Sequence, residues 1–220
     1  MQETDKTKVV VVDDHPMMRN ALVDMIRAKT SLSVVGEAST LAQARQLTKK
    51  VTPDVIILDI SMPDGNGLEL IAELKSRMPK TLFLVFSMHD EEIYAVRALR
   101  AGASGYVMKT EPFDVMTKAI EKIMAGEIFV KEELKNDILL NLLDSGDASQ
   151  SPDKKLSDRE IEIFRSMGHG RTTREIADKF NLSIKTVQAY RERIKAKLAI
   201  SNGTELIQRA VQWVNETEKH

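Results

Sequence analysis

The order of apolar and polar positions divides the chain into two regions. Up to about residue 126, short apolar runs recur: KVVVV at 8–12, SVVGE at 33–37, VIIL at 55–58, LFLVF at 82–86 and GYVM at 105–108. Runs without strict alternation predict parallel strands covered on both faces. Segments with helical spacing lie between them. Ile93, Val96 and Leu99 fall on one stripe, with Asp90 placed as N-cap and Gly102 just past the end. Phe113, Met116, Ile120 and Ile123 form another, closed by Gly126. Five strand–helix units in about 125 residues predict an α/β fold, a doubly wound sheet of five parallel strands.

Beyond residue 155 the pattern becomes helical throughout. Ser157 with Glu160, and Thr172 with Glu175, fit the S/T-x-x-E capping box. Gly168-His169-Gly170 ends one helix, and Ser183 offers another N-cap after a short turn. Helix, tight turn, helix is the spacing of a helix-turn-helix. On the helix after Ser183, Val187, Tyr190, Ile194 and Leu198 share an inward side. Lys185, Gln188, Ala189, Glu192 and Lys195 share the other, flanked by Arg191, Arg193 and Lys197. A last helix over 204–214 places Leu206, Ile207, Ala210 and Val211 on its inner side.

Charge sharpens this division. Residues 152–220 hold 14 Lys and Arg against 10 Asp and Glu, a surplus of 4, whereas residues 1–151 hold 18 against 23, a deficit of 5. A basic surplus beside an amide-bearing helix face suits phosphates and base edges. The stretch SGDASQSPDKK at 145–155 reads as a linker. The expected organisation is a domain over 1–127, a linker helix and flexible linker over 128–155, and a small all-α domain over 156–220. With 42% hydrophobic and 30% charged residues, the chain can bury a core and stay soluble. It has no cysteine, which excludes disulfides, thiolate zinc sites and cysteine nucleophiles. The start, MQETDKTK, lacks an apolar signal core, and no segment approaches the roughly 18 apolar residues of a membrane span. A cytoplasmic protein with no membrane partner is expected.

The strand ends carry the chemistry. The first expected strand ends in Asp13 and Asp14, the third in Asp59, the fourth in Ser87 and the fifth in Lys109. Ligands of doubly wound sheets bind at such carboxyl ends. Converging carboxylates repel unless a cation holds them, and hard oxygen ligands beside an ammonium suit Mg²⁺ and a phosphoryl group. Asp59 then stands as a nucleophile delivered by a buried strand. His15 reads as a residue of the pocket rim and His89 as solvated loop. From its strand position alone, Tyr106 reads as core.

The segments VVDDH, LDISMPDGNG, FSMHD and GASGYVMKTEP, in that order over residues 8 to about 126, resemble the receiver domain of two-component response regulators. From about 156 to 212 the chain is similar to the LuxR-type helix-turn-helix, above all in TTREIADKFNLSIKTV. The whole resembles a NarL/FixJ-type response regulator, with a flavodoxin-like receiver followed by a helix-turn-helix domain. The resemblance implies that Asp59 accepts a phosphoryl group from a sensor histidine kinase. It implies Mg²⁺ held by Asp14, Asp59 and the backbone carbonyl of Ser61, with Asp13 acting partly through water. Lys109 and Ser87 would contact phosphoryl oxygens, and Tyr106 would be the switch aromatic that turns inward when Ser87 moves. Lys185, Gln188, Ala189 and Glu192 would meet base edges of double-stranded DNA, and Thr186, Arg191 and Lys195 its phosphates. A homodimer on phosphorylation is part of the same expectation. The sequence departs from the family's pattern in Ser87 for a frequent Thr, Thr110 for a frequent Pro, and Tyr190 for a frequent His. Two other readings compete. One is a Mg²⁺-dependent phosphohydrolase with an aspartyl nucleophile, weakened by Ser61 standing where such enzymes carry a second acid. The other is a DNA-binding regulator independent of phosphorylation.

Overall fold

The computed structural model describes residues 6–29, 31–89, 91–135, 152–180 and 182–217. The chain forms two compact units, Met1–Leu143 and Asp144–His220.

In the first unit, strands and helices alternate as the apolar runs predict. They are β1 (Thr7–Val12), α1 (Pro16–Arg27), β2 (Leu32–Ala38), α2 (Leu41–Leu47), β3 (Val55–Leu58), α3 (Gly67–Arg77), β4 (Leu82–Ser87), α4 (Glu91–Ala101), β5 (Gly105–Met108) and α5 (Phe113–Met124). The sheet runs β2-β1-β3-β4-β5 and every pairing is parallel. Strand order reverses at β1, so the crevice between the ends of β1 and β3 is where this topology leaves room for a ligand. Val9–Val12 and Val55–Leu58 are buried throughout, which explains their lack of polar alternation. On one face Val9, Val11, Ile57, Leu84 and Phe86 pack with Leu22 and Ile26 of α1 and with Met116, Ile120 and Ile123 of α5. Each such side chain fully buried contributes about 1.5–3 kcal/mol.

Three details differ from the sequence reading. In α4 the buried apolar positions are Ile93, Tyr94, Ala95 and Ala98, with Val96 and Leu99 only half-buried. The phenol ring and two alanines join Ile93 in facing the core, in place of Val96 and Leu99. In α5 Phe113 is 43% exposed, because it is the first helical residue, ahead of the turns that cover the sheet. Asp90, expected as the N-cap of α4, lies outside the described residues. Beyond α5, Phe129 bridges Gly105 in parallel: its carbonyl accepts Tyr106 N–H at 2.8 Å, and its N–H donates to Ser104 O at 3.1 Å. Residues that the sequence groups with the linker thus cover the open edge of β5.

After β3 the chain makes a small antiparallel hairpin, Ser61–Met62 with Gly65–Asn66. Asp64 at its tip accepts the N–H groups of Leu41 and Ala42 at 2.8 and 2.9 Å, tying the hairpin to the start of α2.

The second unit contains α6 (Pro152–Lys155), α7 (Asp158–Gly168), α8 (Thr173–Lys179), α9 (Ile184–Leu198) and α10 (Gly203–Thr217). Both capping boxes form, and Ser183 caps α9 by accepting Thr186 N–H at 3.0 Å. Of the linker read over 145–155, residues 145–151 lie outside the described residues, and 152–155 form the turn α6. Ile161, Phe164, Ile176, Val187, Ile194 and Leu206 are fully buried and make the core. The inner stripe of α10 is Leu206, Ala210, Trp213 and Val214, whereas Ile207 and Val211 are 41% and 38% exposed. The expected pairing of Ile207 and Val211 with the core is therefore corrected. Gly168 explains the phase: a Cβ there would lie 2.6 Å from Ala210 O, so α7 and α10 meet backbone to backbone at that point. Trp213 then packs on Phe164, ring centroids 5.7 Å apart. No described helix is long and apolar enough to cross a membrane.

Candidate functional site

Five residues far apart in the chain meet at the carboxyl edge of the sheet. Asp13 and Asp14 follow β1, Asp59 follows β3, Ser87 ends β4 and Lys109 follows β5. Lys109 Nζ lies 2.6 Å from Asp59 Oδ2 and 2.8 Å from Asp13 Oδ2. Ser87 Oγ donates to Asp59 Oδ1 at 2.9 Å, and Ser61 N–H reaches the same oxygen at 3.3 Å. Asp13, Asp59, Ser87 and Lys109 are buried and Asp14 is half-buried. Asp13 Oδ1 accepts His15 N–H at 2.8 Å, and Arg19 donates to the Asp13 carbonyl at 2.6 Å. Gly67 completes the turn: a Cβ there would overlap the Asp59 carbonyl oxygen.

One ammonium for three carboxylates leaves the pocket short of positive charge. Burial opposes the Lys109 charge, but Asp59 and Asp13 beside it outweigh that, and its pKa lies above the usual lysine value. Lys109 therefore stays charged. Asp13 Oδ2 and Asp14 Oδ1 are buried with no aligned hydrogen-bond donor, although Lys109 Nζ is 2.8 Å from the first and His15 Nδ1 is 2.7 Å from the second. Ligand atoms of Asp13, Asp14, His15 and Asp59 lie within 4.8 Å of one another. Clustered hard oxygens with unused acceptor capacity fit a small divalent cation.

Tyr106 lies inside the fold, 1% exposed, and its OH donates to the carbonyl of His89 at 2.9 Å. Burial drives its phenol well above the ordinary value, with the Asp59 and Glu91 charges adding to the effect, so it remains a donor. His89 corrects the reading of a solvated loop. It is half-buried, its Nε2 is 2.6 Å from Ser61 Oγ, and its ring stands 4.7 Å from that of Tyr94. The available signal was positional: Ser61 follows Asp59 by two, as His89 follows Ser87. His15 is exposed at the rim, as expected.

The second unit presents a separate candidate surface. On α9, Lys185, Gln188, Ala189 and Glu192 are exposed, and Thr186, Arg191 and Lys195 are half-buried. Thr186 Oγ1 is 2.7 Å from Ser183 Oγ, Arg191 reaches Thr173 Oγ1 at 3.4 Å, and Lys195 pairs with Glu192 at 2.8 Å. Arg193 lies 4.3 Å from the Tyr190 ring, a cation–π contact that holds the guanidinium along the helix. Lys197, grouped from the sequence with the flanking positive charge, instead pairs with buried Glu160 at 2.6 Å.

Both regions match known families. Residues 9–121 match the response regulator receiver domain, and residues 154–210 match the bacterial regulatory proteins, luxR family. The chain belongs to the response regulators. This response regulator is 35% identical over 198 residues to the DNA-binding transcriptional activator DevR/DosR of Mycobacterium tuberculosis, covering 90% of this chain and 91% of that protein. It is 33% identical over 210 residues to the oxygen regulatory protein NreC of Staphylococcus haemolyticus, covering 93% and 97%. Among solved structures, the RcsB response regulator of Salmonella typhimurium aligns with a TM-score of 0.57 at 26% identity, over 94% of this chain and 99% of that one. An RcsB–DNA complex aligns with a TM-score of 0.56 at 27% identity, over 96% and 100%.

Proposed function

We propose that this response regulator is a transcription factor switched by phosphorylation of Asp59. The observation that carries the reading is the meeting of buried Asp13, Asp59, Ser87 and Lys109 with half-buried Asp14, groups from four strand ends. Phosphoryl transfer needs in-line placement and neutralisation of spreading oxygen charge more than it needs acid–base chemistry. Asp59 would attack the phosphorus of a phosphohistidine on a sensor kinase. As its carboxylate oxygen bonds to phosphorus, the bond from phosphorus to the imidazole nitrogen breaks. Lys109, already on Asp59 Oδ2, is placed to follow the charge onto a phosphoryl oxygen, and Ser87 to donate to another. Asp13, Asp14, Asp59 and the Ser61 carbonyl would hold Mg²⁺. When bound, the ion supplies the positive charge that the three carboxylates lack.

The output is DNA binding by α9. Lys185, Gln188, Ala189 and Glu192 face outward to read base edges, with Thr186, Arg191 and Lys195 nearer the phosphates. The name of the mycobacterial relative and the RcsB–DNA complex support this assignment. Phosphorylation would pair two chains so that their α9 helices meet half-sites about one DNA turn apart. Chromosomal DNA and a kinase phosphodonor imply the cytoplasm. The chain acts as a regulator and not as a phosphohydrolase, because Ser61 cannot protonate a leaving alcohol as a carboxylic acid would.

The test treats the protein with Mg²⁺ and acetyl phosphate, and follows mass, oligomeric size and DNA affinity together. The expected result is one phosphoryl group on Asp59, a larger assembly and tighter binding, all lost in Asp59→Asn. An Asp59→Asn protein that binds DNA and responds to acetyl phosphate like the wild type overturns the reading.

A further inference from the structure

The geometry points to a strap, residues 127–131, that carries the state of Asp59 to the chain leading into the second unit; it rests on the phosphoacceptor reading above. Two sets of contacts hold the strap. Along β5, Phe129 accepts Tyr106 N–H at 2.8 Å and donates to Ser104 O at 3.1 Å, with Val130 buried beside it. At its far end Lys131 N–H donates to Glu91 Oε1 at 2.7 Å. Glu91 is a buried carboxylate at the start of α4, and neither the acceptor pocket nor DNA binding uses it.

Hydrogen bonds, linked through the backbone of His89 and the body of Tyr106, join the strap to the pocket. Ser87 Oγ donates to Asp59 Oδ1 at 2.9 Å and accepts His89 N–H at 3.4 Å. The His89 carbonyl accepts Tyr106 OH at 2.9 Å, and Tyr106 N–H holds Phe129. A new set of acceptor oxygens at Asp59 competes for the Ser87 hydroxyl. Moving Ser87 moves His89, and His89 lies two residues before Glu91. The strap is thus gripped at both ends by groups that one hydroxyl displacement disturbs.

Gly105 is independent support for a built fit. A Cβ at that position would lie 2.9 Å from the Phe129 carbonyl oxygen and 3.0 Å from Leu84 Cδ1. Only glycine lets the strap lie this close to β5. A half-open cleft of about 130 Å³ adjoins the strap, lined by Glu91, Tyr106, Val107 and Val115 together with Phe129 and Lys131 of the strap itself.

The experiment is hydrogen exchange of the full chain, read by mass spectrometry over residues 127–131, with and without Mg²⁺ and acetyl phosphate. In the wild type, exchange over the strap should change at least about threefold once intact mass shows a phosphoryl group, since sub-global opening sets such rates. Glu91→Ala should raise exchange about tenfold or more in either state, the loss expected for a hydrogen bond to a charged group, while Asp59 still takes phosphate. Glu91→Gln keeps an acceptor and should restore protection. Gly105→Ala should free the strap from the other end, and Ser87→Ala should raise its exchange without any phosphodonor. Unchanged strap exchange in a protein whose mass shows phosphate overturns the strap alone. No phosphate on Asp59 removes the phosphoacceptor reading, and Ser87→Ala then decides the strap: an unaltered rate in that variant overturns it too.

Discussion

Each unit sets a lysine against a buried carboxylate, and the two contacts have opposite balances. In the second unit Lys197 meets Glu160 at 2.6 Å, and Glu160 also accepts Ser157 N–H at 2.7 Å in the capping box. One charge answers one charge and the carboxylate oxygen is satisfied, so the contact is structural. In the first unit Lys109 answers Asp13 and Asp59 while Asp14 stands alongside, and two carboxylate oxygens lack an aligned donor. Burying unmatched charge costs several kcal/mol per ion after relaxation. A fold keeps such a cost where chemistry uses it, which separates a binding pocket from a brace even though both contain the same pair of groups.

The comparison breaks most sharply at Asp59, where Asn should abolish labelling altogether. Chelating divalent cations should suppress labelling nearly as far, with mass spectrometry as the readout, since the unanswered carboxylates lose their counter-charge. Lys109→Ala should slow labelling about 10²–10³-fold, the usual cost of one donor aimed at developing charge, read from the initial rate with acetyl phosphate. On the structural side Glu160→Ala should cost about 2 kcal/mol, because it removes both a cap and a buried ion-pair partner. Trp213, the single tryptophan, packs on Phe164 and reports that transition by fluorescence.

Glu160 also carries a pH dependence. Burial pushes its carboxyl up, but Lys197 and the Ser157 donors outweigh that, leaving it below the ordinary glutamate value. Its folded pKa is depressed, so its stabilisation is complete above the unfolded-state value and is lost as pH falls through the folded one. Wild-type stability should decline in that acid window, and Glu160→Ala should flatten the decline. The smallest effect is expected at the Glu192–Lys195 pair, whose glutamate is exposed. Lys195→Ala should leave stability within about 1 kcal/mol. If Lys195 contacts phosphate, the slope of log affinity against log salt should drop by about 0.9.

Much of this arrangement can be read from local sequence. VIIL before Asp59 is unbroken because β3 is covered on both faces, and the two S/T-x-x-E boxes mark α7 and α8 because their atoms lie within one helical turn. What stays hidden depends on distant neighbours. His89 looks solvated until β4 is known to lie beside β3, which brings Ser61 against its ring. Along α10, Leu206-Ile207 and Ala210-Val211 offer two adjacent apolar stripes. Periodicity cannot choose between them, and the close approach of Gly168 to Ala210 decides which faces inward. Ile128-Phe129-Val130 has the composition of a strand but forms only a bridge, at Phe129, on the open edge of β5.

Asp64 carries a consequence for how the molecule opens. Its carboxylate clasps the first two amides of α2, and its own pKa is lowered below the ordinary value although burial opposes this, because those backbone donors favour the anion. The short hairpin following Asp59 has little core of its own, so it inherits its order from a helix on the neighbouring strand's side. Leu41 and Ala42 should accordingly lose amide protection in step with the hairpin, which makes two backbone protons of α2 a gauge of how often the mouth of the pocket unfastens.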